Sequence, residues 1–299
     1  MNIKHYILFL LAKSVAGYSK AVGDKMRLRT ANFLADVMFK IGKSRKKVTL
    51  DNLNKSFPKK SEKEISEIAH KAYRNFALTF LEMFALKGMS DAEIARRIRF
   101  ENPAQIIEQY KKGRGIILLS AHYGNWELMA LAGKVWLGFN NLIPVKRLKN
   151  YYVDDMVNEI RVYNGNRVVN MDRAAFTIIK TLKQGGGLAL LADQAAHEDK
   201  DIYVKFFGRP ALTYEAPADL ALKLNVPFFE CFCERQTDGT YIIRQNFIDT
   251  SDLDYSKESV RILTQRHVKI LEDQIKKIPE QWAWMHKRWK HSEKCKEIL

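Results

Sequence analysis

The stretch from Gly115 to Glu127 reads GIILLSAHYGNWE, and it decides the fold. Its first half is an unbroken apolar run after a glycine, which is typical of a strand buried on both faces of a parallel sheet. The residues from Trp126 to Val135 then show the apolar spacing of a helix. A buried strand followed at once by a helix is the unit from which α/β sheets are built.

Downstream of this unit, short apolar segments continue to alternate with helical ones. We predict strands at 141–145, 167–170, 187–192 and 203–207, and helices at 153–163, 174–183, 215–224 and 259–278. Segments 227–234 and 240–247 flank Asp238-Gly239, a turn dipeptide that predicts a hairpin. The sequence therefore predicts an α/β fold with a mixed, partly parallel sheet flanked by helices.

Upstream of the stretch, the apolar residues recur at helical spacing. Ser61 and Glu64 form the pattern of a capping box, which predicts the start of a helix after Pro58. We expect a helical, membrane-associating region at 1–100 and an α/β core at 101–299. The two are expected to form one continuous structural domain.

The N-terminus carries an apolar run from Tyr6 to Ala12 that lysines bracket on both sides. A helix that spans a bilayer needs about 20 apolar residues, and this run is shorter. No cleavage site of a signal peptide follows it. We predict an amphipathic helix at 3–22 that lies on a membrane or packs on the domain, and a short spanning helix is the competing interpretation.

The charge of the chain predicts an acidic partner. Lysine and arginine total 50 against 34 acidic residues, a net charge of +16, which favours nucleic acid, anionic lipid or an acidic protein. Tryptophans beside basic residues suit a membrane interface. The same combination could bind single-stranded nucleic acid by stacking, and one or two of the tryptophans could instead be buried in the core. Two basic clusters stand out: Lys40, Lys43, Arg45, Lys46 and Lys47, and then Lys287, Arg288, Lys290, Lys294 and Lys296, interleaved with Trp282, Trp284 and Trp289.

The three cysteines, Cys231, Cys233 and Cys295, have no spacing that predicts disulfides or a zinc site. Buried or inactive thiols in a reducing compartment are expected. No metal site and no cofactor are predicted.

His122 and Glu127 are the first candidates for chemistry. His122 directly follows a buried strand, where α/β enzymes place catalytic groups, and Glu127 follows five residues later as a helix begins. A histidine there can act as a general base, and a carboxylate on its other ring nitrogen would fix its tautomer. By residue type alone the pair is a weak signal, and an incidental histidine is the alternative.

This stretch resembles the His-x4-Asp/Glu motif of glycerolipid acyltransferases. The chain as a whole resembles the late acyltransferases of bacterial lipid A biosynthesis, the lauroyl and myristoyl transferases of lipopolysaccharide assembly. The resemblance covers most of the chain and rests on pieces in the expected order, which are Asn52-Leu53, Phe57-Pro58, Gly113-Arg-Gly115, His122 to Glu127, Pro144 to Arg147, Asn150, Arg161, Gly165, Asp193-Gln194, Phe206-Phe207-Gly208 and Ala216 to Ala221.

The resemblance implies an O-acyltransferase in which His122 takes the proton of an acceptor hydroxyl and Glu127 holds His122. No enzyme serine is needed, which agrees with the absence of a G-x-S-x-G elbow from the sequence. Arg161, or else Arg147, would meet the developing oxyanion or a phosphate of the acceptor. Asp193 would fix an arginine or shape the acceptor site, and Asn125 is expected to bind substrate.

The implied donor is acyl carrier protein or acyl-coenzyme A, and the implied acceptor is an anionic glycolipid such as a lipid A precursor. The protein is expected at the cytoplasmic face of the bacterial inner membrane, either peripheral or weakly anchored through its N-terminus. Nucleic acid is not expected as a partner. Three alternatives stay open. The first is an acyltransferase whose acceptor is a phosphatidylinositol mannoside, an aminolipid or a lysophospholipid. The second is a thioester or lipid hydrolase, and the third is a basic protein that binds membrane or nucleic acid without catalysis.

Overall fold

A computed structural model describes residues 2–198 and 201–295. Its helices are α1 Ile3–Ala21, α2 Asp24–Ile41, α3 Lys43–Ser56, α4 Glu62–Leu86, α5 Asp91–Arg97, α6 Ala104–Lys111, α7 Trp126–Leu137, α8 Tyr151–Val162, α9 Ala175–Lys183, α10 Ala216–Leu224 and α11 Lys257–Lys277. Its strands are β1 Ile98–Phe100, β2 Ile116–Ser120, β3 Asn141–Val145, β4 Arg167–Asn170, β5 Gly187–Leu191, β6 Ile202–Phe206, β7 Arg209–Thr213, β8 Phe228–Arg235 and β9 Tyr241–Ile248.

Seven of these strands form one sheet in the order β1-β9-β8-β2-β5-β3-β4. All neighbours run parallel except β8 and β9, which form the predicted antiparallel hairpin. β2 lies at the centre, between β8 and β5. The prediction of a mixed, partly parallel α/β sheet is confirmed, while β6 and β7 form a separate antiparallel pair.

Alternate residues of β2 serve the two faces of the sheet, as the pleat of a strand requires. Ile116 and Leu118 pack in a core cluster with apolar residues of α7, such as Leu128. Ile117 and Leu119 pack on the other face in a cluster that includes α10 and α11. Both faces are therefore covered, which explains why the run from Gly115 to Ser120 is apolar throughout.

A third cluster contains Trp282, Trp284 and Trp289 together with Phe206 of β6 and Phe232 of β8. All three tryptophans are buried. The expectation that tryptophans of this basic segment face a membrane is therefore wrong. Lys296 of the same predicted cluster lies outside the described residues.

The N-terminal helices pack around α4. The predicted capping box is present, because the side chain of Ser61 accepts from the backbone of Glu64 and the Glu64 side chain accepts from the backbone of Ser61. α1 contacts α4 through a hydrogen bond from the Ser19 hydroxyl to the Leu81 carbonyl. α1 also contacts α8, where the ring of Phe9 lies 5.4 Å from that of Tyr152.

Much of the apolar surface of α1 stays open to solvent. No helix within the described residues combines the length and the apolar character needed to cross a bilayer. The exposed large apolar side chains of α1 are Ile3, Tyr6, Ile7, Leu8, Leu10, Leu11, Val15 and Tyr18.

The sequence analysis missed three elements, namely β1, α6 and β7. β1 has only three residues, and β7 contains Pro210 next to the turn at Gly208, so neither shows an extended apolar alternation. The three cysteines are buried and unpaired, as expected.

Candidate active site

The register of the central strands brings His122 and Asp193 together. β2 and β5 run parallel, and Ser120 lies opposite Leu191 at their carboxyl ends. His122 and Asp193 each follow two residues later in their own chain segments. Because the two strands run in the same direction, residues at the same distance beyond a paired position lie next to each other, and the side chains of His122 and Asp193 therefore meet.

Three hydrogen bonds hold the Asp193 carboxylate against the histidine. Oδ1 lies 2.8 Å from Nδ1 of His122, and Oδ2 accepts from the His122 backbone N–H at 3.0 Å. The indole N–H of Trp282 donates to Oδ2 at 2.9 Å. The carboxylate side chain is 3% exposed, so its charge acts on the imidazole with little screening by water.

This arrangement selects one tautomer of His122. A carboxylate at Nδ1 favours the ring with its proton on that nitrogen, which leaves Nε2 as the basic atom. Within the described residues Nε2 has no hydrogen-bond partner, and the His122 side chain is 25% exposed. His122 therefore presents a basic nitrogen that a substrate can reach.

Two opposing effects set the pKa of His122. Burial lowers it, but the charge of Asp193 and the hydrogen bond to Asp193 raise it by more, so the pKa lies above its ordinary value. Burial raises the pKa of Asp193, and the interaction with His122 outweighs burial and lowers it. The pair therefore favours a charged imidazolium next to a carboxylate, the state that a general base reaches after accepting a proton.

Glu230 of β8 lies near Asp193 but does not share its role. Burial and the negative charge of Asp193 raise the pKa of Glu230 well above the ordinary value. The pKa of Glu230 is therefore raised where that of Asp193 is lowered, so Asp193 is the more acidic of the two groups.

A close backbone approach fixes the segment after His122. Gly124 has a φ of +56°, its N–H donates to the Gln281 carbonyl at 2.9 Å, and a Cβ at this position would lie 1.7 Å from the carbonyl oxygen of Cys233. The Ala283 N–H donates to the His122 carbonyl at 3.0 Å. Only glycine fits at position 124, because every other side chain would collide with β8.

Glu127 does not hold His122 in this structure. Its carboxylate accepts from Arg161 twice, from Nη2 at 2.6 Å and from Nε at 3.0 Å, and from the indole N–H of Trp126 at 3.2 Å. The hydrogen bond that the sequence analysis assigned to Glu127 is made by Asp193, because Arg161 on α8 engages both oxygens of Glu127. Glu127 still contributes a negative charge that raises the pKa of His122.

Arg161 is paired with Glu127. Asp193 was expected to fix an arginine or to shape the acceptor site; the carboxylate that fixes Arg161 is Glu127, through the planar two-point contact that guanidinium and carboxylate groups form. The Arg161 side chain is 24% exposed, so part of its guanidinium remains open to a ligand. His122, Asp193, Glu127 and Arg161 form one group of alternating charge at the carboxyl ends of β2 and β5.

The structure does not bring Asn125 and Arg147 into this group. Asn125 is fully buried and caps α7, since its amide oxygen accepts from the Leu128 N–H at 2.9 Å and its amide nitrogen donates to Glu82 at 2.9 Å. The predicted substrate contact of Asn125 is therefore replaced by a structural role. Arg147 is exposed in the loop between β3 and α8.

Aromatic side chains lie on one side of His122. The ring of Trp126 lies 5.1 Å from that of His122, and Phe76 and Phe80 of α4 pack within 6.4 Å and 6.3 Å of Trp126. These side chains give the site an apolar flank that suits a hydrocarbon chain. The sequence analysis did not identify these aromatic side chains, because α4 is far away along the chain and its pattern indicated only a helix.

Comparison with known proteins identifies the family of the chain. Residues 2–291 match the family described as bacterial lipid A biosynthesis acyltransferase. The chain belongs to this family. Among similar proteins, a phosphatidylinositol mannoside acyltransferase of Mycolicibacterium smegmatis (strain ATCC 700084 / mc(2)155) is 25% identical over 223 residues, which cover 72% of this chain and 70% of the relative.

As a lipid A biosynthesis acyltransferase by family, the protein is an O-acyltransferase that acts on lipid-like acceptors. The predicted family is thereby confirmed. The acceptor lipids named for the family and for the mycobacterial relative differ, so membership of the family does not identify the acceptor lipid of this protein.

Proposed function

We propose that the protein transfers a fatty acyl chain from a thioester to a hydroxyl of a lipid A precursor or a similar glycolipid. His122, held by Asp193, is the general base of this reaction. The observation that supports this most directly is the 2.8 Å contact of Asp193 with Nδ1, which leaves Nε2 as the reachable basic atom. A general base of this kind accounts for a factor of about 10²–10⁴ in rate.

The reaction balances with no residue acylated. Nε2 takes the hydroxyl proton of the acceptor as its oxygen attacks the thioester carbonyl and a new C–O bond forms. The tetrahedral intermediate then collapses, the C–S bond breaks, and the imidazolium returns the proton to the leaving thiolate. Asp193 stabilises the imidazolium between the two steps.

Arg161 is proposed to meet either the negative oxygen of the intermediate or a phosphate of the acceptor. Its two-point contact with Glu127 holds the guanidinium plane in one orientation, and preorganised donors are the ones that stabilise developing charge. In this proposal Glu127 acts as a positioning residue for Arg161 and adds negative charge near His122.

The donor is proposed to be acyl carrier protein, with acyl-coenzyme A as the alternative. A net charge of +16 favours either acidic donor. A glycolipid acceptor fits both the family and the mycobacterial relative, and a phosphatidylinositol mannoside is the second candidate on the strength of that relative's name.

A donor and acceptor omission experiment tests the class of reaction. The purified protein is incubated with dodecanoyl-acyl carrier protein, with and without a lipid A precursor, and both free thiol and lipid mass are followed. We expect thiol release that depends on the acceptor, with one dodecanoyl chain added to the lipid. Thiol release of equal rate without acceptor would identify a hydrolase, and no thiol release in the presence of the acceptor would overturn the proposal.

The proposed location is the cytoplasmic face of the inner membrane, bound at the surface through α1. The exposed apolar side chains of α1 and the basic excess together suit an anionic interface. The test is sedimentation with vesicles of anionic or neutral phospholipid. We expect binding to anionic vesicles that Leu8→Glu/Leu11→Glu abolishes, and equal binding of this variant would exclude α1 as the contact.

A further inference from the structure

A largely buried ion pair lies beside the turn that follows His122. The Glu82 carboxylate, on α4, accepts from Nη1 of Arg235 at 2.7 Å and from Nη2 at 2.9 Å. Both side chains are 13% exposed, and Arg235 is the last residue of β8. Burial lowers the pKa of Arg235, but the charge of Glu82 raises it by more, so the guanidinium keeps its charge inside the protein.

The surroundings of this ion pair hold both of its members in place. Nε of Arg235 donates to the side-chain oxygen of Asn75 at 3.0 Å, and the Tyr241 hydroxyl donates to Glu82. Gln281 binds the backbone of Arg235 twice, since its amide oxygen accepts from the N–H at 2.7 Å and its amide nitrogen donates to the carbonyl at 2.8 Å. Arg235 is therefore fixed through its side chain and its backbone.

The ion pair reaches the turn through Asn125. The amide nitrogen of Asn125 donates to Oε2 of Glu82 at 2.9 Å, and its amide oxygen accepts from the Leu128 N–H at 2.9 Å. Asn125 is thus the N-cap of α7, the residue whose side chain satisfies a free N–H of the first helical turn. Glu82 therefore orients the residue at which α7 begins.

The first turn of α7 also carries Glu127. Its carboxylate binds Arg161 through two hydrogen bonds, so the position of this turn sets where the Arg161 guanidinium lies. The contacts thus continue from Glu82 through the start of α7 to Arg161.

His122 is held by different groups. Asp193 bonds both its Nδ1 and its backbone N–H, and its carbonyl accepts from the Ala283 N–H at 3.0 Å. Both partners lie outside α4 and α7. The base and the arginine are therefore held by separate sets of contacts, and the distance between them depends on both sets.

Stability alone does not require an ion pair at this place. Removing two charges from water has a free-energy cost that their attraction often only offsets, and apolar residues of similar volume are frequently as stabilising or more so. Apolar side chains, however, offer no acceptor to the amide of Asn125. From these observations, and resting on the proposed function, we propose that this ion pair positions Arg161 relative to His122 for acyl transfer.

An apolar replacement of the ion pair separates positioning from folding. Glu82→Leu/Arg235→Met removes both charges together, so neither charge is left buried alone. Glu272→Leu/Lys276→Met is the matched control on α11, because the Glu272 side chain is 10% exposed and pairs with Lys276. Each variant is assayed for kcat/KM of transfer, for thermal unfolding, and for amide hydrogen exchange of segment 125–130 by mass spectrometry.

We expect the Glu82→Leu/Arg235→Met protein to unfold within a few degrees of wild type. Its kcat/KM should fall by about 10–100-fold, because a displacement of about 1 Å at a reacting centre can reduce the rate by about 10²-fold. Exchange in segment 125–130 should become faster, since Asn125 loses the acceptor that orients it. The control should match wild type in kcat/KM and in exchange of this segment.

Repeating the replacement in an Arg161→Ala background tests the route of the effect. If the ion pair acts by positioning Arg161, the replacement should lower kcat/KM by no more than about twofold further, because the residue that it positions is gone. A merely structural role would lower activity by the same factor in both backgrounds.

Wild-type kcat/KM in the folded Glu82→Leu/Arg235→Met protein would overturn the proposal, and so would equal losses with and without Arg161. Should this protein not fold, Glu82→Gln decides in the same assays, because it keeps the shape of the side chain but replaces one acceptor oxygen by a donor. If wild type itself does not transfer, the proposed function fails. Hydrogen exchange then still decides the positioning, since unchanged exchange of segment 125–130 would contradict it.

Discussion

The hydrogen bond between His122 and Asp193 sets two properties of the proposed base, its tautomer and its pKa. Asp193→Asn keeps the shape of the side chain but removes the charge that raises the pKa of His122. The base must be neutral to accept a proton, so activity should rise with pH through that pKa. The variant should therefore lose turnover by about 10²–10⁴-fold, and its remaining activity should rise at a lower pH than in wild type.

The measurement is kcat/KM for transfer against pH. Asp91→Asn, at an exposed position on α5, is the control and should leave the profile unchanged. A purely structural aspartate would lower activity without moving the midpoint of the profile, so an unmoved midpoint would contradict the assigned role.

The contact between Glu127 and Arg161 predicts that the two residues act as a unit. Arg161→Ala should impair transfer strongly, and Arg161→Lys should recover little, because lysine has no planar fork. If Glu127 works by orienting Arg161, the double variant Glu127→Gln/Arg161→Ala should be about as impaired as Arg161→Ala alone.

Steady-state kinetics with limiting acceptor separates the two roles of Arg161. Loss of an oxyanion contact lowers kcat and spares affinity, whereas loss of a phosphate contact raises KM. Transfer by Arg161→Ala at the wild-type rate would make Arg161 a surface residue.

At the scale of elements, the strand–turn–helix unit of β2 and α7 is locked by the approach of Gly124 to β8. Gly124→Ala should destabilise the fold and abolish transfer, because its Cβ would overlap the Cys233 carbonyl. Gly138→Ala is the matched control. Gly138 has a φ of +77°, and a Cβ added there would meet no atom within 4 Å, so the change should cost only the strain of a left-handed residue, about 1–2 kcal/mol.

Thermal unfolding and transfer activity of both variants distinguish the two effects. A Gly124→Ala protein that melts and reacts like Gly138→Ala would show that the close approach is unimportant.

The fold was predictable from sequence wherever burial made a pattern local. β3 begins and ends at the predicted residues, and its buried residues include both ends of the strand. β4 also has its predicted bounds, although it is the edge strand of the sheet and none of its residues is buried. The short β1 and the proline-containing β7 gave no such pattern. They depend on neighbours that are distant along the chain, namely β9 for β1 and β6 for β7.

The site was predictable to the same extent. His122 follows a strand that the sequence reveals, and so does Asp193, but their contact depends on the pairing of β2 with β5. Residue spacing favoured Glu127 as the partner, since it lies five positions away. Only the register across the sheet identifies Asp193.

At the scale of the whole molecule, the apolar surface of α1 and the histidine at the carboxyl end of the central strand fit the proposed function, in which a lipid-like acceptor reacts at His122. The parts are connected through α4, which contacts α1, α2, α3 and α7. The proposed transfer reaction depends above all on His122 as the base.

The most direct test is the single-turnover rate of acyl transfer by His122→Ala, measured by lipid mass with saturating donor and acceptor. The fold should survive, because the His122 side chain contributes one hydrogen bond and is partly exposed, and unfolding by circular dichroism checks this. If His122 is the general base, the rate should be lower by about 10²–10⁴-fold in a folded protein. Transfer at the wild-type rate by folded His122→Ala would contradict this role.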